Sequence, residues 1–202
     1  IVGMFLTGNN FWKIYLISLI FLFPLFFLIR KFLKEAQYKR KERIRFLKTI
    51  QGRKKNKSIS AILYSHFLLQ LFYAWMVIYM PIYLNQYIGF SWQEIGVMFT
   101  IMLLPFMLFE LPLGRLADKK IGEKEILVTG FIIMAISTFF IPTISSHSVV
   151  VWSILLFITR VGASFVEVAS ESYFFKQVNE KNTGLISLFR MARPLAYISA
   201  PA

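Results

Sequence analysis

The fold is decided by residues 114–124, which read GRLADKKIGEK. This segment stands between two long apolar stretches, residues 92–113 and residues 126–144. A glycine near each end permits a sharp change of direction, and charged side chains avoid the hydrocarbon interior of a bilayer. We therefore predict a short, charged turn at the level of the lipid headgroups, joining two membrane-spanning helices.

The composition of the whole chain is that of a membrane protein. Of the 202 residues, 57% are hydrophobic and 17% are aromatic, and the mean hydropathy is +0.61. Apolar runs of about 20 residues are what a helix needs to cross a hydrocarbon core of about 30 Å. These features predict an all-α, polytopic bundle of transmembrane helices embedded in a lipid bilayer.

Several kinds of chemistry lack the residues that they require. The chain has no cysteine and only two histidines, His66 and His147, so it offers neither a thiol site nor a cluster of metal ligands. It also has no glycine-rich nucleotide-binding loop and no Ser/His/Asp set. We therefore expect no cofactor, no metal ion and no enzymatic activity.

Charged runs and helix breakers divide the chain into about six predicted spans. We expect one span within residues 1–30, a basic linker at 31–58 and five spans within 59–202. Ser91 and Glu94 have the spacing of a capping box, which predicts the start of the third helix. The individual spans are predicted at residues 11–29, 59–84, 92–113, 126–144, 149–174 and from 184 into the C-terminus.

The distribution of positive charge predicts the orientation. Thirteen of the 23 Lys and Arg residues lie between Arg30 and Lys57 with only two acids, so this segment carries +11 of the net +13. Basic residues in short loops stay in the cytoplasm. The later basic turns follow at intervals of two spans, and the turns at 85–91 and 145–148 carry no formal charge. We therefore predict a multi-pass protein of the plasma membrane with a cytoplasmic basic linker.

A basic cluster is also typical of nucleic-acid-binding segments. The linker has few interleaved aromatic side chains and is flanked by predicted membrane spans, which argues against that use. A solvated or bilayer-surface segment is favoured, and no nucleic-acid partner is expected.

The charged turn resembles the signature loop of the major facilitator superfamily of secondary transporters, Gly-x-Leu-Ala-Asp-Arg/Lys-x-Gly-Arg-Arg/Lys. The chain departs from that pattern twice, because Gly122 comes one residue late and Glu123 occupies a usually basic position. The positions that match in order and spacing are Gly114, Leu116, Ala117, Asp118 and Lys119.

The resemblance implies a place within a transporter of twelve helices. A span, a long cytoplasmic linker and five further spans are similar to helices six to eleven, with the linker joining two six-helix halves. The competing alignment is an extra helix followed by helices one to five. The chain begins at Ile1 and ends at Ala202 within an apolar run, so we expect the N-terminal half of the same chain to be missing.

The resemblance also implies a gating role for the charged turn. In this family the aspartate helps to lock neighbouring helix ends together in one state and releases them in the other. Asp118, placed in the turn itself, is the position to which this role transfers, with Arg115 and Lys119 as its partners. The predicted gating residues are Gly114, Arg115, Asp118, Lys119, Gly122 and Lys124.

A stripe of polar residues runs along the fifth span. At 100° per residue, Glu167 and Glu171 each lie within about 20° of Arg160 around the helix axis, and Ser164 falls near them. Ionisable groups inside a bilayer cost about 2.5–3.5 kcal/mol and are functional candidates by default. We predict that the stripe faces the bundle interior, with Glu167 coupling protons or substrate and Arg160 controlling its charge. A structural ladder of ion pairs is the alternative, in which Arg190 and Arg193 answer Glu171.

Three further polar residues lie within predicted spans. Glu110, next to Leu111-Pro112, is a candidate either for structural pairing with Arg115 or for coupling. Gln70 and Tyr73 are deep enough in the second span to line a cavity or to pack between helices.

These observations predict a secondary transporter that moves a small solute by alternating access, with protons as a candidate coupling ion. The alternative is a non-transporting receptor or scaffold with the same fold. The residues do not specify the substrate, because one fold carries many kinds of cargo.

Overall fold

A computed structural model describes most of the predicted bundle. It covers residues 57–119, 122–178 and 183–201, together with positions 16, 18–20, 22–24, 27, 30 and 31. The described positions of the first predicted span are helical, and the rest of that span lies outside the described residues, as does the linker at 32–56.

Five α-helices account for nearly all of the described chain, and no β-strand occurs in that part of it. A short π-helix, Leu84–Ile88, extends the first helix, and a 3₁₀ turn, Ile141–Thr143, extends the third. The helices are α1 (Lys57–Tyr83), α2 (Trp92–Lys119), α3 (Glu123–Phe140), α4 (Val149–Gln177) and α5 (Thr183–Ser199).

Four of the described helical segments are long and apolar enough to cross a membrane. They are Lys57–Ile88, Trp92–Gly114, Glu123–Thr143 and Val149–Gln177. The shorter α5, with 17 residues, carries Arg190 and Arg193 near its middle. An all-helical, polytopic membrane bundle is therefore confirmed for the described part of the chain.

The membrane-length part of α2 ends at Gly114, one residue from the predicted end of the third span at residue 113, while the helix itself continues to Lys119. Arg115, Leu116, Ala117 and Lys119 all have good helix propensity, which favours this extension. Asp118 therefore lies in the last turn of α2, and its predicted place in the connecting turn is wrong.

The turn between α1 and α2 is built by local interactions that the sequence specifies. Gly89 has φ 88°, a left-handed conformation that an L side chain rarely adopts, and its backbone N–H donates to the Leu84 carbonyl. The backbone N–H and hydroxyl of Ser91 both donate to Glu94 Oε2, at 2.8 and 2.7 Å. The predicted capping box is confirmed.

Helix α4 is the centre of the described bundle, since it packs against α1, α2 and α3. Over its most apolar stretch 56% of α4 is buried, compared with 22–33% in the other three membrane-length segments. Its contact with α3 is especially close, because a Cβ placed on Gly162 would lie 2.8 Å from the Gly130 carbonyl oxygen. Small residues allow helix backbones to approach in this way within a membrane, where packing replaces the hydrophobic effect as the force that associates helices.

Two sets of contacts hold α5 against α1. Near the start of both helices the His66 ring stacks on Phe189 with centroids 3.8 Å apart, and Phe189 stacks on Phe174 of α4 at 4.3 Å. Near their other ends the side chains of Trp75 and Tyr79 both donate to the Ala200 carbonyl. These contacts fix α5 beside α1 along its length, which positions the middle of α5 at the site described below.

The glycine contact gives a prediction about stability. Gly162→Ala should lower the stability of the purified protein by about 1–3 kcal/mol, because the added methyl group meets backbone atoms of α3 that cannot move away. Gly114→Ala is the matched control, since a Cβ there meets no atom of the described residues within 4 Å, and helix propensity then favours alanine. Thermal unfolding in detergent measures both, and equal stability of the two variants would contradict the close packing.

Candidate functional site

A cavity of about 510 Å³ lies at mid-height in the bundle, between α1, α2, α4 and α5. Gln70, at the midpoint of α1, lies on its wall, and α3 contributes no residue. We name it the central cavity; its lining residues are Gln70, Tyr73, Val77, Phe99, Thr100, Met102, Leu103, Phe106, Arg160, Glu167, Arg193 and Tyr197.

Tyr73 connects the two charged residues of α4 that reach this cavity. Its hydroxyl donates a hydrogen bond of 2.8 Å to Glu167 Oε2. The guanidinium carbon of Arg160 lies over the ring of the same tyrosine, 4.8 Å from the ring centroid, which is a cation–π geometry. Among the described ion pairs none joins Arg160 directly to Glu167, so the tyrosine mediates the contact between them.

Two buried polar side chains on the cavity wall have an atom without a partner. Arg160 is 4% exposed and Gln70 is 5% exposed. Within the described part of the chain, neither Arg160 Nε nor Gln70 Oε1 has a hydrogen-bond partner. An unsatisfied buried polar group costs about 1–3 kcal/mol, and such groups in a native protein call for an explanation. Both atoms belong to residues that line a cavity able to admit a ligand.

A second, smaller cavity of about 180 Å³ adjoins the first and is rich in carboxylates. We name it the acidic cavity; it is lined by Phe106, Glu110, Ser164, Glu167, Val168 and Glu171. Phe106 and Glu167 line both cavities. Glu167 therefore stands between a basic compartment, which holds Arg160 and Arg193, and an acidic one, which holds Glu110 and Glu171.

The structure places all seven candidates for substrate or proton coupling on the walls of these two cavities. Gln70, Tyr73, Arg160 and Glu167 line the central cavity, while Glu110, Ser164 and Glu171 line the acidic cavity. The Ser164 hydroxyl donates to the carbonyl of Val161 at 2.8 Å, so its hydrogen is already engaged within α4.

The alternative arrangement, a ladder of ion pairs, is not what the described helices form. Glu110 and Glu171 are exposed, and no ion pair joins Glu171 to Arg190 or Arg193 in this part of the chain. Arg193 lines the central cavity instead. The side chain of Arg115, the expected partner of Glu110, lies outside the described residues.

Sequence analysis missed the residues that α2 and α5 contribute to the central cavity. Thr100 lies in an apolar stretch, where a single threonine does not indicate a binding site, since a threonine hydroxyl in a helix can bond a carbonyl of the preceding turn. Thr100 does so here, because its hydroxyl donates to the Gly96 carbonyl. Tyr197 follows Arg193 by one helical turn, a spacing that places both on one face. That spacing was available in the sequence, but only the packing of α5 on α1 shows where the face points.

The predicted gating segment is described in its backbone. Gly114 is half-buried within α2, and Gly122 immediately precedes α3. The side chains of Arg115, Asp118 and Lys119 lie outside the described residues, so their gating role stays a prediction.

Glu123, which departs from the signature pattern, has a structural partner. Its carboxylate forms an ion pair with Lys176 near the end of α4. An acid at this position therefore ties the start of α3 to the end of α4, and Lys124 lies beside it on the wall of a separate groove.

The long apolar helices and their close packing are those of a multi-pass membrane protein. The family model of the Major Facilitator Superfamily matches residues 1–201, so the chain belongs to that superfamily. Comparisons with curated proteins and with solved structures found no significant match. The resemblance inferred from the charged turn is confirmed.

The tyrosine–carboxylate contact gives a second prediction. Tyr73→Phe and Glu167→Leu should be coupled in stability by about 0.6 kcal/mol and at most about 1.7 kcal/mol, the average and the maximum measured for hydrogen bonds between membrane helices. A double-mutant cycle measured by unfolding in detergent isolates this energy, because leucine has no hydrogen-bond acceptor. Tyr79→Phe is the control, because Tyr79 donates to Ala200 and should be additive with Glu167→Leu. If the stability effects of the substitutions at Tyr73 and Glu167 are additive, the hydrogen bond between them contributes no stability and the prediction is wrong.

Proposed function

We propose that this chain is part of a secondary transporter that moves a small solute by alternating access. The central cavity carries the proposal, since it places charged and polar groups at the mid-height of an otherwise apolar bundle. Transporters of inverted-repeat design hold their substrates near the midplane, at the interface between repeats. In this proposal, a second six-helix half of the same protein closes the site and rocks against the half described here.

We further propose that the chain corresponds to helices six to eleven and that its basic end faces the cytoplasm of a cell whose plasma membrane it spans. Lys57, Lys124 and Lys176 lie at the ends of α1, α3 and α4 that the alternation of the helices places together. This shared basic end supports the predicted orientation, with the basic linker on the same side.

Proton coupling through Glu167 is the mechanism that the two cavities favour. Glu167 is the carboxylate common to both, so a change in its charge alters both compartments at once. Its surroundings are Tyr73 from α1, Glu110 from α2, Arg193 and Tyr197 from α5, and Arg160 and Glu171 from its own helix. Protonation of Glu167 weakens repulsion from the acidic side and attraction from the basic side, which biases the helices that carry those groups.

Asp118 is proposed to act in the gate and not at the cargo. It lies in the last turn of α2, far along the chain from the mid-helix residues that line the central cavity. Position 118 belongs to the C-terminal, negative end of the helix dipole, where an acidic residue is unfavourable without a compensating partner. Locking to a neighbouring helix end in one state supplies such a partner.

Alternating access is testable without knowing the substrate, because the chain contains no cysteine. In a cysteine-free form of the complete transporter, Thr100→Cys should react with a membrane-impermeant maleimide from either face of the membrane, since Thr100 lines the central cavity. Val128→Cys is the control, because Val128 is an exposed apolar position on α3 that should face lipid and stay unlabelled.

Labelling of Thr100→Cys from one face only would overturn transport and favour the receptor or scaffold.

In the same background, Asp118→Asn should shift the ratio of labelling from the two faces by weakening one locked state. If Asp118→Asn changes neither the labelling ratio nor the rate at which the cavity switches between the two faces, Asp118 has no role in the gate.

The same assay tests proton coupling. The labelling ratio of Thr100→Cys should depend on pH, and Glu167→Gln should abolish that dependence by fixing this position in a neutral form. Glu125→Gln is the control, because Glu125 is exposed at the start of α3 and lines neither cavity. Retention of the wild-type pH dependence in Glu167→Gln would assign the residue a structural role.

A further inference from the structure

We propose that the central cavity binds a small organic monocarboxylate that carries a hydroxyl group and an apolar body. The proposal deepens the proposed function by naming its cargo class, and it rests on that function only in treating the bound anion as cargo.

The charge of the lining favours a single negative charge on the ligand. Arg160 and Arg193 contribute two positive charges and Glu167 one negative charge, so the wall is formally +1 when all three are ionised. Arg160 is 4% exposed, and its Nε has no partner among the described groups. A buried cation without a paired anion is costly, and a ligand carboxylate supplies that anion with a geometry that suits a guanidinium.

The second unpartnered atom specifies a hydrogen-bond donor. Gln70 Oε1 can only accept a hydrogen bond, and none of the described groups donates to it. A hydroxyl group on the ligand satisfies this oxygen while the carboxylate satisfies the arginine. A site built to bond a hydroxyl rejects analogues that lack it, because its own polar atom is then left unpaired.

The rest of the wall is apolar and aromatic. Its apolar side chains come mainly from α2 and are Val77, Phe99, Met102, Leu103 and Phe106. Pockets of about 300–1,000 Å³ bury most of a small organic ligand, and this cavity measures about 510 Å³. The ligand therefore has an apolar portion to cover these side chains, in addition to its carboxylate and hydroxyl.

The same groups disfavour two other classes of cargo. A phosphate dianion exceeds the single net positive charge that this half of the site supplies, and it meets repulsion from Glu167. An amine cation meets Arg160 and Arg193, and Glu167, the carboxylate in the described lining, is already bonded by Tyr73. An amine would instead fit the acidic cavity, which is lined by Glu110 and Glu171. An amine is therefore the ligand class against which a carboxylate should be compared.

Binding of purified complete transporter to mandelate tests the proposal, because this probe combines a carboxylate, a hydroxyl and an aromatic ring. Mandelamide keeps the shape but lacks the charge, phenylacetate lacks the hydroxyl, and phenethylamine carries the opposite charge. We expect mandelamide to bind about 10- to 100-fold more weakly than mandelate, the loss that follows from one charged hydrogen bond.

Arg193→Gln should weaken mandelate binding at least about tenfold and leave mandelamide binding unchanged. Arg193 is exposed, so this change should not prevent folding. Arg190→Gln is the matched control, because Arg190 is exposed on the same helix and does not line the cavity. Gln70→Leu should remove the preference for mandelate over phenylacetate.

Equal affinity for mandelate and mandelamide, preference for phenethylamine, absence of mandelate binding, or equal effects of the two arginine variants would each overturn the carboxylate site. Mandelate binding with Thr100→Cys labelled from one face only would leave the site intact and overturn transport. Labelling of Thr100→Cys from both faces without mandelate binding would support transport and overturn the carboxylate site.

Discussion

Charged side chains within a bilayer must be covered by protein or water, and α4 carries Arg160 and Glu167 close to its middle. This constraint accounts for the arrangement of the neighbouring helices. Helix α1 supplies Tyr73, whose ring lies under the guanidinium and whose hydroxyl bonds the carboxylate. On another side of α4, the contact between Gly130 and Gly162 brings α3 close enough to seal that face. Helix α4 is thus covered on one side by α1, which supplies a polar side chain at mid-height, and on another side by α3, which packs tightly against it.

Enclosure is incomplete on the side where α2 and α5 meet the central cavity, and this is where function is proposed to arise. A purely structural solution would pair every buried polar atom, as most native interiors do. Here Arg160 and Gln70 line the cavity, and Arg160 Nε and Gln70 Oε1 have no partner within the described bundle. In the proposed transporter, a bound ligand that pairs with these residues offsets the cost of leaving the two atoms without partners, which couples ligand binding to the stability of the surrounding helices.

Much of the architecture could be predicted from the chain because its signals are local. Hydropathy located the four membrane-length helices to within a few residues, and Ser91 and Glu94 marked the start of α2. The polar stripe of α4 was visible at helical spacing, and its residues do line the two cavities. The place of Asp118 was wrong because the charged segment was interpreted as a turn, whereas α2 continues to Lys119 through Arg115, Leu116 and Ala117, which have good helix propensity.

The sequence by itself determined the superfamily, the helical class, most span boundaries and the stripe from Arg160 to Glu171, since each follows from composition, periodicity or a short motif. The tertiary structure decided that Tyr73 bonds Glu167, that Gly130 meets Gly162 and that Arg193 lines the cavity instead of pairing with Glu171. These contacts join residues far apart in the chain, and they depend on the angle, rotation and height at which two helices pack. A periodic pattern shows which residues share a helix face, but only the packed bundle decides what that face meets.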